Sequence, residues 1–250
     1  FGRSVEWQIE PSSTGGTLWE QRTLPRVLAQ KRADVLFAPA YTAPLRAPCP
    51  VVLAIHDVSY FVHPEWFSWR EGLRRRWVTR RAAERAHTIV TISEFSRAEI
   101  HRELRIPVDR ILLAPPGAPA PTTHVRTAPS SVVLYVGSLF QRRHPREMID
   151  AIAHAARDVP DVRLILAGDN RTTPRLDLAA LAASAGVKDR VEIREYVTDA
   201  ELVEAYRRAH VLLYLSDYEG FGIPPLEALA HGVAPVVLDT AVSREVYGDA

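Results

Sequence analysis

The stretch His210 to Gly232 reads H-V-L-L-Y-L-S-D-Y-E-G-F-G-I-P-P-L-E-A-L-A-H-G, and it decides the fold. Val211 to Leu215 is a short apolar run, the pattern of a strand buried on both faces of a parallel sheet. Ser216 to Gly222 is polar and glycine-rich, a loop at that strand's carboxyl end. Pro224 and Pro225 preset φ for the first turn of a helix, whose N–H groups would lack partners there anyway. Leu226, Leu229 and Ala230 recur at helical spacing, and Gly232 closes the helix as a C-terminal cap. Two carboxylates bracket the turn, Glu219 in the loop and Glu227 on the helix. Between them the backbone N–H groups of Gly220, Phe221, Gly222 and Ile223 are placed to face an anion at a helix start. A phosphorylated, hydroxyl-bearing ligand fits that combination.

Working outward, the same grammar repeats. Val132–Val136, Val162–Ala167, Val191–Ile193 and Ala234–Leu238 read as buried strands. Helices over 145–157, 176–185 and 199–208 alternate with them, the last capped near Thr198. Upstream, Asp34–Ala38, Val51–Ile55, Thr88–Ile92 and Arg110–Leu113 are further strand runs, with helices expected over 23–32 and 69–85. Ser93 or Ser96 caps another helix in S-E-F-S-R-A-E-I. Strands alternating with helices imply doubly wound parallel sheets. Residues 115–130 hold five prolines and no periodicity, which reads as a linker between domains 1–114 and 131–250.

A second constellation is Y-V-G-S-L-F-Q-R-R-H-P, Tyr135 to Pro145. A strand ends at Gly137 and Ser138, and Arg142 and Arg143 precede a helix start. That is either a diphosphate clamp or a solvated arginine pair. His56 ends another strand, where open α/β sheets place ligands, or it is simply satisfied by the next loop.

Composition bounds the rest. At 250 residues and 47% hydrophobic, the chain can bury one large or two modest cores. A net charge of +1 argues against bulk nucleic-acid binding. Cys49 is the single cysteine, so no internal disulfide forms, and a reducing, cytoplasmic setting is expected. No D-x-D and no metal-spaced Cys/His cluster occurs, so no metal is expected; no G-x-G-x-x-G opens a helix.

Glu219-x7-Glu227, in E-G-F-G-I-P-P-L-E-A-L-A-H-G, resembles the signature of the retaining glycosyltransferases of family four, and the chain is similar to that family over nearly all of 34–250. The resemblance implies the GT-B fold class: α/β, two Rossmann-like domains with parallel sheets facing a cleft, here read as truncated at both ends. It implies a hexosyltransferase that moves a sugar from a nucleotide-diphosphate donor, with GDP-mannose as the family-level guess, to a glycan or lipid-linked acceptor in polysaccharide synthesis. No cofactor is implied beyond the donor, and no metal. Carried onto matching positions, Glu219 faces the transferred sugar, Glu227 the ribose, Arg142 and Arg143 the diphosphate with Gly137, and His56 the sugar or phosphate. Arg143 stands where the family usually has Lys, and Ser138 where some members carry Arg. Tyr196 and Val197, with Glu195, match the region bordering the nucleotide base, and Gly168-Asp169-Asn170 joins the same pocket. Other readings of the resemblance are a sugar-nucleotide epimerase of the same fold and a non-catalytic nucleotide-sugar-binding module.

Residues 66–85 carry seven arginines interleaved with Trp66, Trp69, Leu73 and Trp77. Spacing at 69, 73 and 77 favours an ordinary core stripe packed on the sheet. The other reading is a surface helix making peripheral contact at the inner face of a membrane.

Overall fold

A computed structural model describes residues 16–117 and 130–248. Residues 118–129 of the expected linker therefore lie outside the described residues. The chain divides into two compact units, Phe1–Ala114 and Pro115–Ala250. Each is a parallel α/β layer structure, as the alternating pattern requires.

In the first unit four parallel strands lie in chain order: β1 (Leu36–Ala38), β2 (Val51–Ala54), β3 (Thr88–Thr91) and β4 (Ile111–Leu113). Helix α1 (Leu24–Gln30) precedes β1, α2 (Trp69–Arg85) connects β2 to β3, and α3 (Glu94–Leu104) connects β3 to β4. The core joins Leu53, Ile89 and Ile111 from the sheet to Ala82 and Ala83 of α2 and Ile100 of α3. Ser93 caps α3, its Oγ accepting from the Ser96 N–H at 3.0 Å. Ser96 does something else: its hydroxyl donates to the His56 carbonyl at 2.8 Å.

The orientation of α2 corrects the core-stripe reading. Trp69, Leu73 and Trp77 are 69%, 54% and 58% exposed, and the helix turns Gly72, Thr79, Ala82 and Ala83 inward. The small-residue face lets the helix backbone approach the sheet closely, where two indoles would hold it away. Tyr60 fills the inward side, donating to Thr79 Oγ1 at 3.0 Å, while Arg76 donates to its carbonyl.

The second unit holds β5 (Val132–Val136), β6 (Arg163–Ala167), β7 (Val191–Arg194), β8 (Ala209–Tyr214) and β9 (Ala234–Val237). They are parallel in the order β7-β6-β5-β8-β9. Helices α4 (Pro145–Ala155), α5 (Leu178–Ser184), α6 (Asp199–Arg208), α7 (Ile223–Ala230) and α8 (Ala241–Tyr247) pack around the sheet. Leu134, Tyr135, Leu164, Leu166, Met148, Tyr206 and Leu212 are buried almost completely, each apolar side chain contributing roughly 1.5–3 kcal/mol. The α6 start is a full capping box, Thr198 and Glu201 satisfying each other's backbone N–H groups. Because the strand order reverses between β5 and β8, the loops leaving those two strands flank the sheet's switch point, where α/β folds bind ligands.

A second correction concerns α7. Pro225 and Ala228 face inward, while Leu229 is 36% exposed. On the same helix the Glu227 side chain accepts from the Tyr206 hydroxyl at 2.8 Å.

Candidate functional site

The loop after β5 and the loop after β8 meet at an ion pair. Arg143 donates from Nε to Glu219 Oε1 at 2.9 Å, and its Nη2 lies 2.7 Å from the same oxygen. The two side chains are 12% and 17% exposed. Ser216 Oγ donates to that carboxylate oxygen too, at 2.8 Å. Arg143 Nη1 donates to the Ser138 carbonyl at 3.0 Å and to Tyr135 Oη at 3.3 Å, and the guanidinium lies over the Tyr214 ring at 5.2 Å. Four of the five N–H groups a guanidinium offers are thus directed at the protein. Burial opposes the charge on Arg143, but Tyr214, Glu219 and Tyr135 around it outweigh that and raise its pKa. Tyr214 is itself pushed up, first by burial and then by the Glu219 charge.

The frame holding this pair is rigid. Gln141–Arg143 forms one 3-10 turn, and His144 in left-handed conformation redirects the chain into α4. The Arg142 carbonyl accepts from the Asp217 N–H at 3.0 Å, and His144 Nε2 lies 2.8 Å from Asp217 Oδ1. Two bonds therefore tie the arginine loop to the glutamate loop. Arg142 lies over the Phe140 ring at 4.3 Å. On the other side, Leu139 exchanges backbone bonds with the loop after β6, donating to Asp169 and accepting from Arg171, both at 2.8 Å. A side chain at Gly168 would reach within 2.0 Å of the Gly137 carbonyl, so that loop approaches Gly137 only as glycine.

Gly222 sits at φ 87° just before α7. Tyr247 of α8 reaches back and donates to the Gly222 carbonyl at 2.8 Å, with the Phe221 carbonyl at 3.3 Å. A Cβ at Gly222 would meet the Tyr247 hydroxyl at 2.0 Å. Gly220 and Gly222 are buried and Ile223 is 45% exposed, so the turn offers only part of its backbone to solvent. Glu227 is half-buried and accepts from the Tyr206 hydroxyl at 2.8 Å; burial first, then the Glu227 charge, raises the Tyr206 pKa.

Of the sequence-predicted residues, Gly137, Ser138, Arg143 and Glu219 come together directly, with Arg142, Gly220, Phe221, Gly222, Ile223 and Glu227 on the elements around them. Tyr196 and Val197 stand apart on the β7–α6 loop, Tyr196 83% exposed, and among the described residues neither bonds to the Arg143–Glu219 pair. His56 belongs to the first unit, edge-on to the Tyr41 ring with centroids 5.5 Å apart; Tyr41 in turn donates to Asp57 at 3.0 Å. Sequence reasoning passed over Tyr135, Tyr206, Tyr214, Ser216 and Tyr247. The first three sit in strand or helix runs as apparent core, and only a hydroxyl that burial must satisfy distinguishes them from Phe. Among the described residues, no group of three or more His, Cys, Asp or Glu could hold a metal ion, and no helix is long and apolar enough to cross a membrane.

Known proteins carry the same architecture. Residues 124–250 match the family Glycosyl transferases group 1, and residues 5–120 match Glycosyltransferase Family 4. O-antigen chain mannosyltransferase B of Escherichia coli is 30% identical over 213 residues, 80% of this chain and 55% of that protein. GDP-mannose:cellobiosyl-diphosphopolyprenol alpha-mannosyltransferase of Xanthomonas campestris is 27% identical over 208 residues, 80% of this chain and 52% of that protein. The chain spans about half the length of the curated relatives it matches. Among solved structures, sucrose-phosphate synthase from Thermosynechococcus elongatus superposes with a TM-score of 0.68 at 18% identity, over 88% of this chain and 60% of that one. WaaG, a glycosyltransferase involved in lipopolysaccharide biosynthesis, superposes with a TM-score of 0.63 at 23% identity, over 88% of this chain and 62% of that one.

Proposed function

Since the chain belongs to the glycosyl transferases of group 1, we propose that it transfers a hexose from a nucleotide-diphosphate donor to a glycan or lipid-linked acceptor, with retention of configuration. The observation that carries this reading is the buried Arg143–Glu219 pair at the switch point, with Glu227 one helix turn beyond. An acceptor-only carboxylate suits sugar hydroxyls, and a fixed guanidinium suits an anion that grows as the diphosphate leaves. GDP-mannose is the donor of choice because relatives are named as mannosyltransferases and one name specifies GDP-mannose.

The roles follow from placement. Glu219 receives hydroxyls of the transferred sugar, and Arg143 orients it while offering its remaining N–H to the donor. Arg142, the backbone of 220–223 and the start of α7 stabilise the leaving diphosphate. Glu227, steered by Tyr206, holds the ribose; Tyr196 and Val197 border the base. His56 is assigned to the donor's sugar or phosphate by the resemblance of A-I-H-D to the family's motif. The donor is the only small molecule the reaction needs, and the arginines take the electrostatic part a metal would play. A lipid-linked acceptor brings the protein to a membrane surface.

The test is transfer from GDP-mannose by the purified protein, with the anomeric configuration of the product read by NMR. A retained α-linkage is expected. An inverted product, or turnover of donor to an epimer without any acceptor, would replace this reading.

A further inference from the structure

His144 is a residue that neither its backbone nor its helix favours. It sits at φ 53° and ψ 49°, a left-handed conformation that a Cβ disfavours. It also precedes Pro145, where extended backbone is preferred. As the N-cap of α4 it occupies a position suited to Ser, Thr, Asn or Asp, yet its side chain makes no capping bond. Glycine would take the conformation freely, and asparagine would take it and cap as well. The ring is engaged elsewhere. Nε2 lies 2.8 Å from Asp217 Oδ1, on a loop 73 residues further along the chain. A carboxylate only accepts, so Nε2–H is the donor. Nδ1 is 3.7 Å from Glu147 Oε2, beyond hydrogen-bond length. A strained backbone that carries one contact between loops points to a positional role rather than to folding.

We infer that His144 is a positioning residue for sugar transfer: through Asp217 it holds the Glu219 loop in register with Arg142 and Arg143 while the donor is bound. The inference deepens the transfer reading above and rests on it. Of the contacts joining the two loops, the Arg143–Glu219 pair is the one the donor draws on. Sugar hydroxyls reach the carboxylate and a phosphate oxygen reaches the guanidinium, so their hold on each other weakens as the site fills. The His144–Asp217 bond stands outside that exchange. Its two ends are adjacent to Arg143 in the chain and two residues from Glu219. The side chains are 30% and 45% exposed, and an ion pair so exposed adds little to stability. What it supplies is geometry. A carboxylate displaced by about 1 Å from the reacting sugar loses much of its effect on rate. The diphosphate, by contrast, stays on the arginines of the loop that His144 itself ends. Loss of the tie therefore lowers kcat and spares donor KM.

The experiment compares His144→Gly, His144→Gln, Asp217→Ala and the double variant His144→Gly with Asp217→Ala, in the purified protein with GDP-mannose as donor. His144→Gly removes the bond and relieves the backbone, so its melting temperature should stay within about 2 °C of wild type. Its kcat should nevertheless fall roughly tenfold, with donor KM within about twofold. Asp217→Ala removes the same bond without touching the backbone at 144 and should match it. The double variant should be no slower than either single one. His144→Gln keeps an N–H donor of similar reach and should recover most of the rate. Unchanged kcat in His144→Gly and Asp217→Ala would overturn the inference. So would losses that add in the double variant, or a kcat that falls only as far as the melting temperature does. Amide exchange over residues 216–222, with and without GDP, separates this claim from the transfer reading. It should quicken several-fold in both His144→Gly and Asp217→Ala. Faster exchange in a protein whose wild type does not turn over GDP-mannose rejects only the donor reading; unchanged exchange rejects the tie whatever the donor.

Discussion

Replacing Glu219 by Ala leaves the Arg143 guanidinium 12% exposed and without its counter-charge. With charge centres about 4 Å apart and an effective dielectric near 20, their attraction is about 4 kcal/mol before desolvation. Removing one partner of such a buried pair costs about 3–5 kcal/mol, because the survivor keeps its burial penalty. Residual access to water on both sides places the expected loss near the lower end, about 3 kcal/mol. At about 3 °C per kcal/mol for a unit of this size, the melting temperature should fall by roughly 9 °C. Urea unfolding of wild type, Glu219→Ala, Arg143→Met and the double variant forms a closed cycle. The double variant should be more stable, by about 2 kcal/mol, than the sum of the two single losses predicts. Arg143→Lys should not restore the loss, since Nε and Nη2 both reach the same oxygen and a single ammonium cannot. A coupling under about 0.5 kcal/mol, the range of surface pairs, would refute the argument that this is a buried structural pair.

Three further outcomes are expected. Gly222→Ala places a methyl 2.0 Å from the Tyr247 hydroxyl at a positive φ and should cost about 2–3 kcal/mol; Tyr247→Phe should relieve part of it, and equal costs in both backgrounds would show that the contact is not the cause. Tyr206→Phe frees Glu227 and should raise donor KM several-fold with kcat near wild type, whereas an altered kcat alone would contradict the ribose role. Burial raises the pKa of Tyr135, Tyr206 and Tyr214, so the folded state keeps protons the unfolded chain releases; stability should hold up to about pH 10 and fall above it, and tyrosinate absorbance appearing only with unfolding checks this.

Much of the scaffold was legible because parallel strands buried on both faces leave unbroken apolar runs, as in Val132–Val136 and Val211–Leu215. Capping was equally readable: T-D-A-E at 198–201 can satisfy its own helix start, and it does. Arg143 and Glu219 could each be singled out by chemistry. Their mutual bond could not, since they stand 76 residues apart and only the reversal of strand order between β5 and β8 brings their loops together. Tyr247 was silent for the same reason, since 25 residues separate it from the Gly222 carbonyl it bonds. The face of α2 was misread because that helix carries two stripes at helical spacing. The sheet chose Gly72, Thr79 and Ala83 for close approach, and nothing in the spacing of Trp69, Leu73 and Trp77 expresses that preference.

Steady-state transfer from GDP-mannose by Glu219→Gln and Glu227→Gln tests the central claim most directly. A residue that follows charge developing at the sugar changes kcat, while one that holds ribose equally in ground and transition states changes KM. Glu219→Gln should lower kcat by roughly 10²-fold, about 3 kcal/mol, with donor KM little changed, and Glu227→Gln should chiefly raise donor KM. Wild-type kcat in Glu219→Gln, in a protein that still folds, would contradict the account.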